Sequence, residues 1–265
     1  MAILELEALT RRFSTLVAVN ALTLTIERGE MFALLGPNGA GKSTTIKMLT
    51  TLLPPSAGSA RVDGLDIARH PSAVRRIIGY VPQMLSADGT LTGRENLSVF
   101  ARLYDVPRRE RRPRVEEALA FMGLADAADR PVKQYSGGMI RRLEIAQSMI
   151  HNPRVLFLDE PTVGLDPSAR RAVWEHIEQL RHRTGATIVL TTHQMEEADA
   201  LCNRVAIMHQ GNLVALGTPA ELKASVAKRA ATLEDVFLHY TGSDLETGGT
   251  YSETRRTRRA VRRLG

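Results

Sequence analysis

The stretch Gly36-Pro37-Asn38-Gly39-Ala40-Gly41-Lys42-Ser43-Thr44 constrains this chain more than any other. It fits the pattern G-x-x-x-x-G-K-S/T without a mismatch. Its surroundings fit as well. Met31-Phe32-Ala33-Leu34-Leu35 before it is an apolar run of strand length. Lys42 to Leu53 after it reads as a helix, with Ile46, Leu49 and Leu53 at helical spacing. Strand, glycine-rich loop and helix in that order turn a text pattern into a phosphate site. The glycines let the backbone wrap around an anion and aim several N–H groups inward. The helix N-terminus adds partial positive charge. Lys42 supplies a full charge for the outer phosphates, and the Ser43 hydroxyl can ligate Mg²⁺. These residues imply a chain that binds a nucleoside triphosphate.

At 265 residues the chain has room for one large domain, or a core with a subdomain. Its single cysteine, Cys202, excludes an intramolecular disulfide and suits a packing role. The formal net charge is +6, but six arginines and one glutamate between Glu253 and Gly265 account for five of those charges. The rest of the chain is near neutral, so a basic nucleic-acid-binding body is not supported. Met1-Ala2-Ile3-Leu4-Glu5-Leu6-Glu7 lacks the basic and apolar regions of a signal peptide. No run approaches the ~18 apolar residues that span a bilayer. Work at a membrane would therefore need a second, membrane-spanning chain.

Leu4, Leu6 and Ala8 alternate with Glu5 and Glu7, and Leu22 to Ile26 alternates too. Two early strands predict a small antiparallel sheet beside the main one. Phe13 lies between them, either stacking on a nucleobase or packed in the core. Asp63-Gly64 marks a hairpin between Ala60-Arg61-Val62 and Leu65-Asp66-Ile67. Ile77 to Val81 reads as a buried strand stopped by Pro82, with Gln83 at its end, where ligands sit in open α/β sheets. From Leu85 to Ile150 the period turns helical. Leu97, Phe100, Ala101, Leu103 and Tyr104 form one stripe, and Pro113 fits a first helical position. The five arginines from Arg108 to Arg114 read as a solvated, mobile surface.

Three further stretches carry chemistry. Ser136-Gly137-Gly138 precedes a helix and is either an anion site or an ordinary turn. Val155-Leu156-Phe157-Leu158 is an apolar run that ends in Asp159-Glu160. Two adjacent carboxylates are costly to bury alone. Mg²⁺ held by Ser43 and Asp159 would offset that cost, leaving Glu160 to polarise an attacking water. His193 follows the strand Ala186 to Thr192 and could hydrogen-bond a terminal phosphate. Arg204 to Met208 and Leu213 to Leu216 form a closing hairpin. Thr232 to Leu238 is amphipathic, and the run after Tyr240 reads as flexible.

Together these stretches resemble the ATP-binding subunit of ABC transporters over residues 1–225. Walker A (Gly36 to Thr44), Gln83 as the Q-loop, Ser136-Gly137-Gly138 as the signature, Asp159 and Glu160 as Walker B with its catalytic glutamate, and His193 as the switch histidine occur in family order. Asp166 matches the D-loop. Met139 stands where glutamine is commonest, Tyr135 where leucine is, and Phe13 where tyrosine is. Tyr135-Ser-Gly-Gly-Met and Thr232-Leu-Glu-Asp-Val-Phe-Leu resemble the daunorubicin/doxorubicin-resistance exporter ATPases, in which ATPase and membrane protein are usually separate chains.

The resemblance implies an α/β P-loop NTPase (RecA-like) core, 1–84 and 151–225, with an N-terminal antiparallel β subdomain. It also implies an inserted helical subdomain at 85–150 and a C-terminal extension at 226–265. Two subunits would pair head to tail on ATP binding, each ATP clamped between Walker A of one and Ser136, Gly137 and Gly138 of the other, with Asp166 beside it. Glu160 would be the general base, and Lys42 and His193 would contact the γ-phosphate. Gln83 would join the metal site and link it to a separate transmembrane permease. The place of work would be the cytoplasmic face of the membrane. The arginine tail could add a contact to anionic lipid. The alternative is a soluble ABC-type ATPase acting on nucleic acid or ribosomes, with the tail as its anchor.

Overall fold

The computed structural model describes residues 1–226 and 228–242. The run from 243 and the arginine tail lie outside them, and so does the tail's anticipated lipid contact.

The chain opens with a long hairpin of β1 (Ala2–Phe13) and β2 (Leu16–Glu27). β3 (Met31–Leu35) then runs through the glycine loop into α1 (Lys42–Leu49). A second hairpin, β4 (Ala57–Val62) and β5 (Leu65–Asp66), precedes α2 (Pro71–Ile77) and β6 (Ile78–Val81). The helical insertion is α3 (Gly93–Leu103), α4 (Arg108–Phe121) and α5 (Gly137–Met149). The remainder alternates: β7 (Val155–Asp159), α6 (Pro167–Thr184), β8 (Thr187–Thr192), α7 (Met195–Leu201) and β9 (Arg204–His209). β10 (Asn212–Gly217), α8 (Pro219–Ala224) and α9 (Leu233–Thr241) close it.

The expected antiparallel sheet has the order β2-β1-β4-β5. The main sheet has the order β10-β9-β3-β8-β7-β6, parallel from β9 to β6, with β10 antiparallel on the edge. β3 is buried along its whole length because both faces are covered. Phe32 and Leu34 pack with α1 and the antiparallel sheet, while Met31, Ala33 and Leu35 face the helical side. Cys202 is buried, as a packing cysteine should be. Among the described residues no helix is long and apolar enough to cross a membrane.

Several local expectations change. Ala8 is exposed, with a left-handed φ of 47°. The register of β1 slips between Leu6 and Leu9, so a bulge returns Leu9 to the buried face. α1 ends at Leu49 rather than Leu53. Thr51 turns left-handed at φ 62°, and the Leu53 N–H returns to the Lys47 carbonyl at 3.0 Å. Pro54 disfavours helical backbone at the residue before it. Leu103 is 69% exposed, because it lies off the 97–101–104 stripe.

α4 starts at Arg108, and Pro113 lies inside it. The hydrogen bond lost at Pro113 falls on an exposed face, where water can serve the freed carbonyl. The arginine run is therefore helical, and Arg108, Arg109 and Arg112 on it are solvent-exposed as expected. Arg111 donates to the Val106 carbonyl at 2.7 Å, and Arg114 donates to Glu110 at 2.8 Å and to the Ile150 carbonyl at 3.2 Å.

Candidate active site

Parallel pairing lines up the C-terminal ends of four strands. Leu35 of β3 is opposite Thr192 of β8, and Thr191 is opposite Asp159 of β7. The register therefore places the glycine loop, Asp159-Glu160, His193 and Gln83 along one edge, where open α/β sheets bind ligands.

The loop wraps tightly. Gly41 has φ 101°, and a Cβ there would strike the Ala18 carbonyl; a Cβ at Gly36 would strike the Met208 carbonyl. Both positions require glycine, for conformation and for space. No side chain caps the start of α1, so its N–H groups remain available to an anion. Lys42 is buried and donates from Nζ to the carbonyls of Gly36 at 2.7 Å and Pro37 at 3.0 Å. Desolvation pushes its ammonium below the ordinary lysine value, against the pull of Glu160 and Asp159.

Ser43 Oγ donates to Asp159 Oδ1 at 2.8 Å, and Thr191 Oγ1 donates to the same oxygen at 2.6 Å. The hydroxyl and carboxylate are hard oxygen donors brought together, a set that suits Mg²⁺. Glu160 has a left-handed backbone, φ 49°, a conformation that costs a non-glycine residue about 1–3 kcal/mol. Its N–H donates to Thr191 Oγ1 at 2.9 Å and to the Thr191 carbonyl at 3.1 Å, which fixes that turn. The carboxylate then lies among three groups. Gln83 Nε2 donates to Oε2 at 3.0 Å, while Lys42 Nζ and His193 Nδ1 stand 3.5 and 3.4 Å from Oε1. Burial alone would raise this carboxyl; His193 and Lys42 outweigh that and hold it below the ordinary carboxylate value.

A cleft of about 640 Å³ opens beside this cluster. Asn38 to Thr44 line it together with Gln83, Glu160, Gln210 and the hairpin residues Phe13, Leu16, Val17 and Ala18. Phe13 is 42% exposed, with the Arg11 guanidinium 4.6 Å from its ring centroid, so it is not a core phenylalanine.

Ser136, Gly137 and Gly138 do not line this cleft. Ser136 caps α5, accepting the Met139 N–H at 3.3 Å, and is exposed with Gly137. Gly137 and Gly138 pack close to Leu165 and Ala169, on either side of Asp166, which caps α6 through the Ser168 and Ala169 N–H groups. Within one chain, then, the sheet edge gathers Lys42, Ser43, Gln83, Asp159, Glu160 and His193, whereas the Ser136 turn and Asp166 form a second, outward-facing cluster.

The sequence reading missed three participants. Thr191 holds both Asp159 and Glu160, although it looks like any β-branched strand residue. Arg141 and Glu144, one turn into α5, are buried and paired at 3.0 Å. Arg141 donates to the carbonyls of Pro82 at 2.8 Å and Gln83 at 2.9 Å. Glu144 accepts from the backbone of Ser86 and Ala87. The helix after Ser136 therefore grips the loop that carries Gln83. Arg141→Met is expected to cost about 3–5 kcal/mol of stability, because it strands a buried carboxylate. Urea denaturation checks this; a loss well under ~1 kcal/mol, the size of an exposed pair, would show that the pair is not holding the loop.

A model of the ABC transporter family matches residues 19–163. The daunorubicin/doxorubicin resistance ATP-binding protein DrrA of Streptomyces peucetius is 45% identical over 230 residues, covering 87% of this chain and 69% of that protein. The Nod factor export ATP-binding protein I of Ralstonia nicotianae is 44% identical over 220 residues, covering 83% and 68%. Among solved structures, an ATP-binding subunit of an ABC transporter superposes with a TM-score of 0.80 at 30% identity, covering 90% of this chain and 99% of that one.

Proposed function

This chain belongs to the family of ABC transporter ATP-binding subunits, and from that premise we propose that it powers the export of drug-like molecules through a separate membrane-spanning permease. It is an ATPase. The observation that supports the reading most is the placement of Glu160 between Gln83, Lys42 and His193, beside the Ser43–Asp159 pair. The drug-like substrate class follows a relative named for resistance to daunorubicin and doxorubicin, and a second relative is named for Nod factor export. A soluble ATPase acting on nucleic acid or ribosomes gains no support from them.

The geometry supports a role for each residue. Phe13 offers an exposed ring in the cleft lining for the nucleobase. The N–H groups at the start of α1 and the Lys42 ammonium receive the phosphates. Ser43 and Asp159 would hold Mg²⁺, whose chemistry there is to neutralise charge on the phosphate oxygens. Glu160, ionised and aimed by Gln83, accepts a proton from the attacking water. His193 orients Glu160 and meets the γ-phosphate. Lys42 must leave the carbonyls of Gly36 and Pro37 to meet phosphate, and that exchange couples loop shape to occupancy. Two subunits pair head to tail, with Ser136, Gly137, Gly138 and Asp166 completing the partner's site.

The test is turnover in proteoliposomes. The subunit is reconstituted alone and with a membrane-spanning protein encoded next to it. ATP hydrolysis is expected to rise several-fold with the partner and further with an amphipathic drug. A rate indifferent to both would sink the exporter reading while leaving the ATPase intact.

A further inference from the structure

We propose that the cleft between α3 and α4 is a binding site for the phosphate headgroups of anionic membrane lipid. The cleft encloses about 580 Å³. Arg94, Arg102, Arg108, Arg111 and Arg112 line it against one carboxylate, Glu116. Outside the C-terminal arginine run the chain is close to neutral, so a net of three positive charges in one concavity, with Asp129 beside Arg94 counted, is a concentration, not an average. The cleft shares no lining residue with the nucleotide site.

The charges in it are unequal. Arg94 is committed to Glu116 and also grips Asp129, from Nε at 2.7 Å and Nη2 at 3.1 Å. Arg111 spends its Nε on the Val106 carbonyl, which ties the turn before α4 to the helix. Arg102, Arg108 and Arg112 have no ion-pair or hydrogen-bond partner for their guanidinium groups among the described residues. Elsewhere Arg28 and Arg154 pair with Asp63, Arg183 with Glu117, and Arg204 with Glu30, while other unpaired arginines such as Arg12, Arg61 and Arg171 are scattered over the described residues, not gathered in one cleft. Like charges crowded into a concavity repel one another and focus a positive potential on it. An anion relieves both effects, and the guanidinium fork suits phosphate oxygens.

The exposed apolar neighbours select the source of that phosphate. Residues 94, 98 and 102 form the α3 stripe that faces the cleft. The adjacent stripe carries Val99 and Leu103, 40% and 69% exposed. A basic stripe beside an apolar stripe fits a lipid interface, where arginines meet headgroups and apolar side chains reach the acyl boundary. A soluble phosphate would leave Val99 and Leu103 in water.

The test is flotation of the full chain with vesicles of phosphatidylcholine alone or mixed with phosphatidylglycerol. The wild type is expected to float with the anionic vesicles in a salt-sensitive manner. R102E/R108E/R112E is expected to bind them on the order of 100-fold more weakly, at roughly a factor of five per arginine. Its ATP hydrolysis and circular dichroism should match the wild type. V99N/L103N should weaken vesicle binding while leaving binding of inorganic phosphate unchanged. A variant with the six C-terminal arginines changed to glutamine should keep most of the vesicle binding. The proposal is overturned if the triple variant floats like the wild type. It is equally overturned if the C-terminal arginines account for all the binding, or if inorganic phosphate binds the cleft and vesicles do not.

Discussion

Glu160→Gln is expected to slow ATP turnover by about 10²–10⁴-fold while leaving nucleotide binding intact, since general-base catalysis contributes about that much. The substitution is nearly isosteric. The hydrogen bonds that hold this turn involve Glu160 only through its backbone N–H and carbonyl, so the turn should survive. A glutamine cannot take a proton from water at any useful pH. Measured steady-state hydrolysis should therefore collapse, and size-exclusion chromatography with ATP should show an accumulated dimer that the wild type shows only in passing. Turnover within a few-fold of wild type would remove Glu160 from the role of base.

The electrostatics give the same residue a pH signature. His193 and Lys42 hold the Glu160 carboxyl below its ordinary value. A lowered folded-state value means that the ionised base persists into acid. Activity should thus remain through the ordinary carboxylate range and fall only as pH drops below it. The matching contribution to stability is present above the unfolded carboxyl's value and is lost as pH falls through the folded one. His193→Ala would remove one of the groups holding the value down, and the acid limb of the rate profile should then move to higher pH.

What could be read in the sequence were features that local physics dictates. Asp63-Gly64 sits at φ 50° and 78°, as a two-residue hairpin turn demands. Thr232 and Asp235 form a capping box at the start of α9, where the amphipathic stretch was expected. The glycine loop needed only its flanking strand and helix. Features set by non-local partners escaped. Thr191 reaches Asp159 and Glu160 because β8 lies beside β7, and no periodicity in 187–192 reveals that neighbour. Arg141 and Glu144 read as polar residues on a helix and are in fact buried, because the Gln83 loop supplies their partners from more than fifty residues away. The bulge at Ala8 is invisible for a related reason. It shifts the phase of one strand against another, and only the pairing register reports that.

Ser136→Arg is the second large effect. It is expected to abolish measurable ATP hydrolysis while changing ATP affinity of the isolated subunit by no more than about twofold, ~0.4 kcal/mol, as for a surface change. The reason is positional. Ser136 and Gly137 are exposed and lie outside the cleft that Lys42 and Glu160 line. A bulky cation there is remote from a nucleotide bound in the same chain, whereas in the proposed head-to-tail pair it would block the second subunit's nucleotide from docking. Loss of ATP binding by the isolated Ser136→Arg subunit would put the serine in its own chain's site and break the head-to-tail arrangement. Mixing supplies a sharper version. Pair a Ser136→Arg subunit with a Lys42→Ala subunit. If each site is built from the glycine loop of one chain and the Ser136 turn of the other, the mixed dimer gathers both defects into one site and leaves the other intact. ATP-dependent association should then reappear in the mixture, though neither variant shows it alone. If each chain completed its own site, both sites in the mixed dimer would be defective and nothing would be recovered.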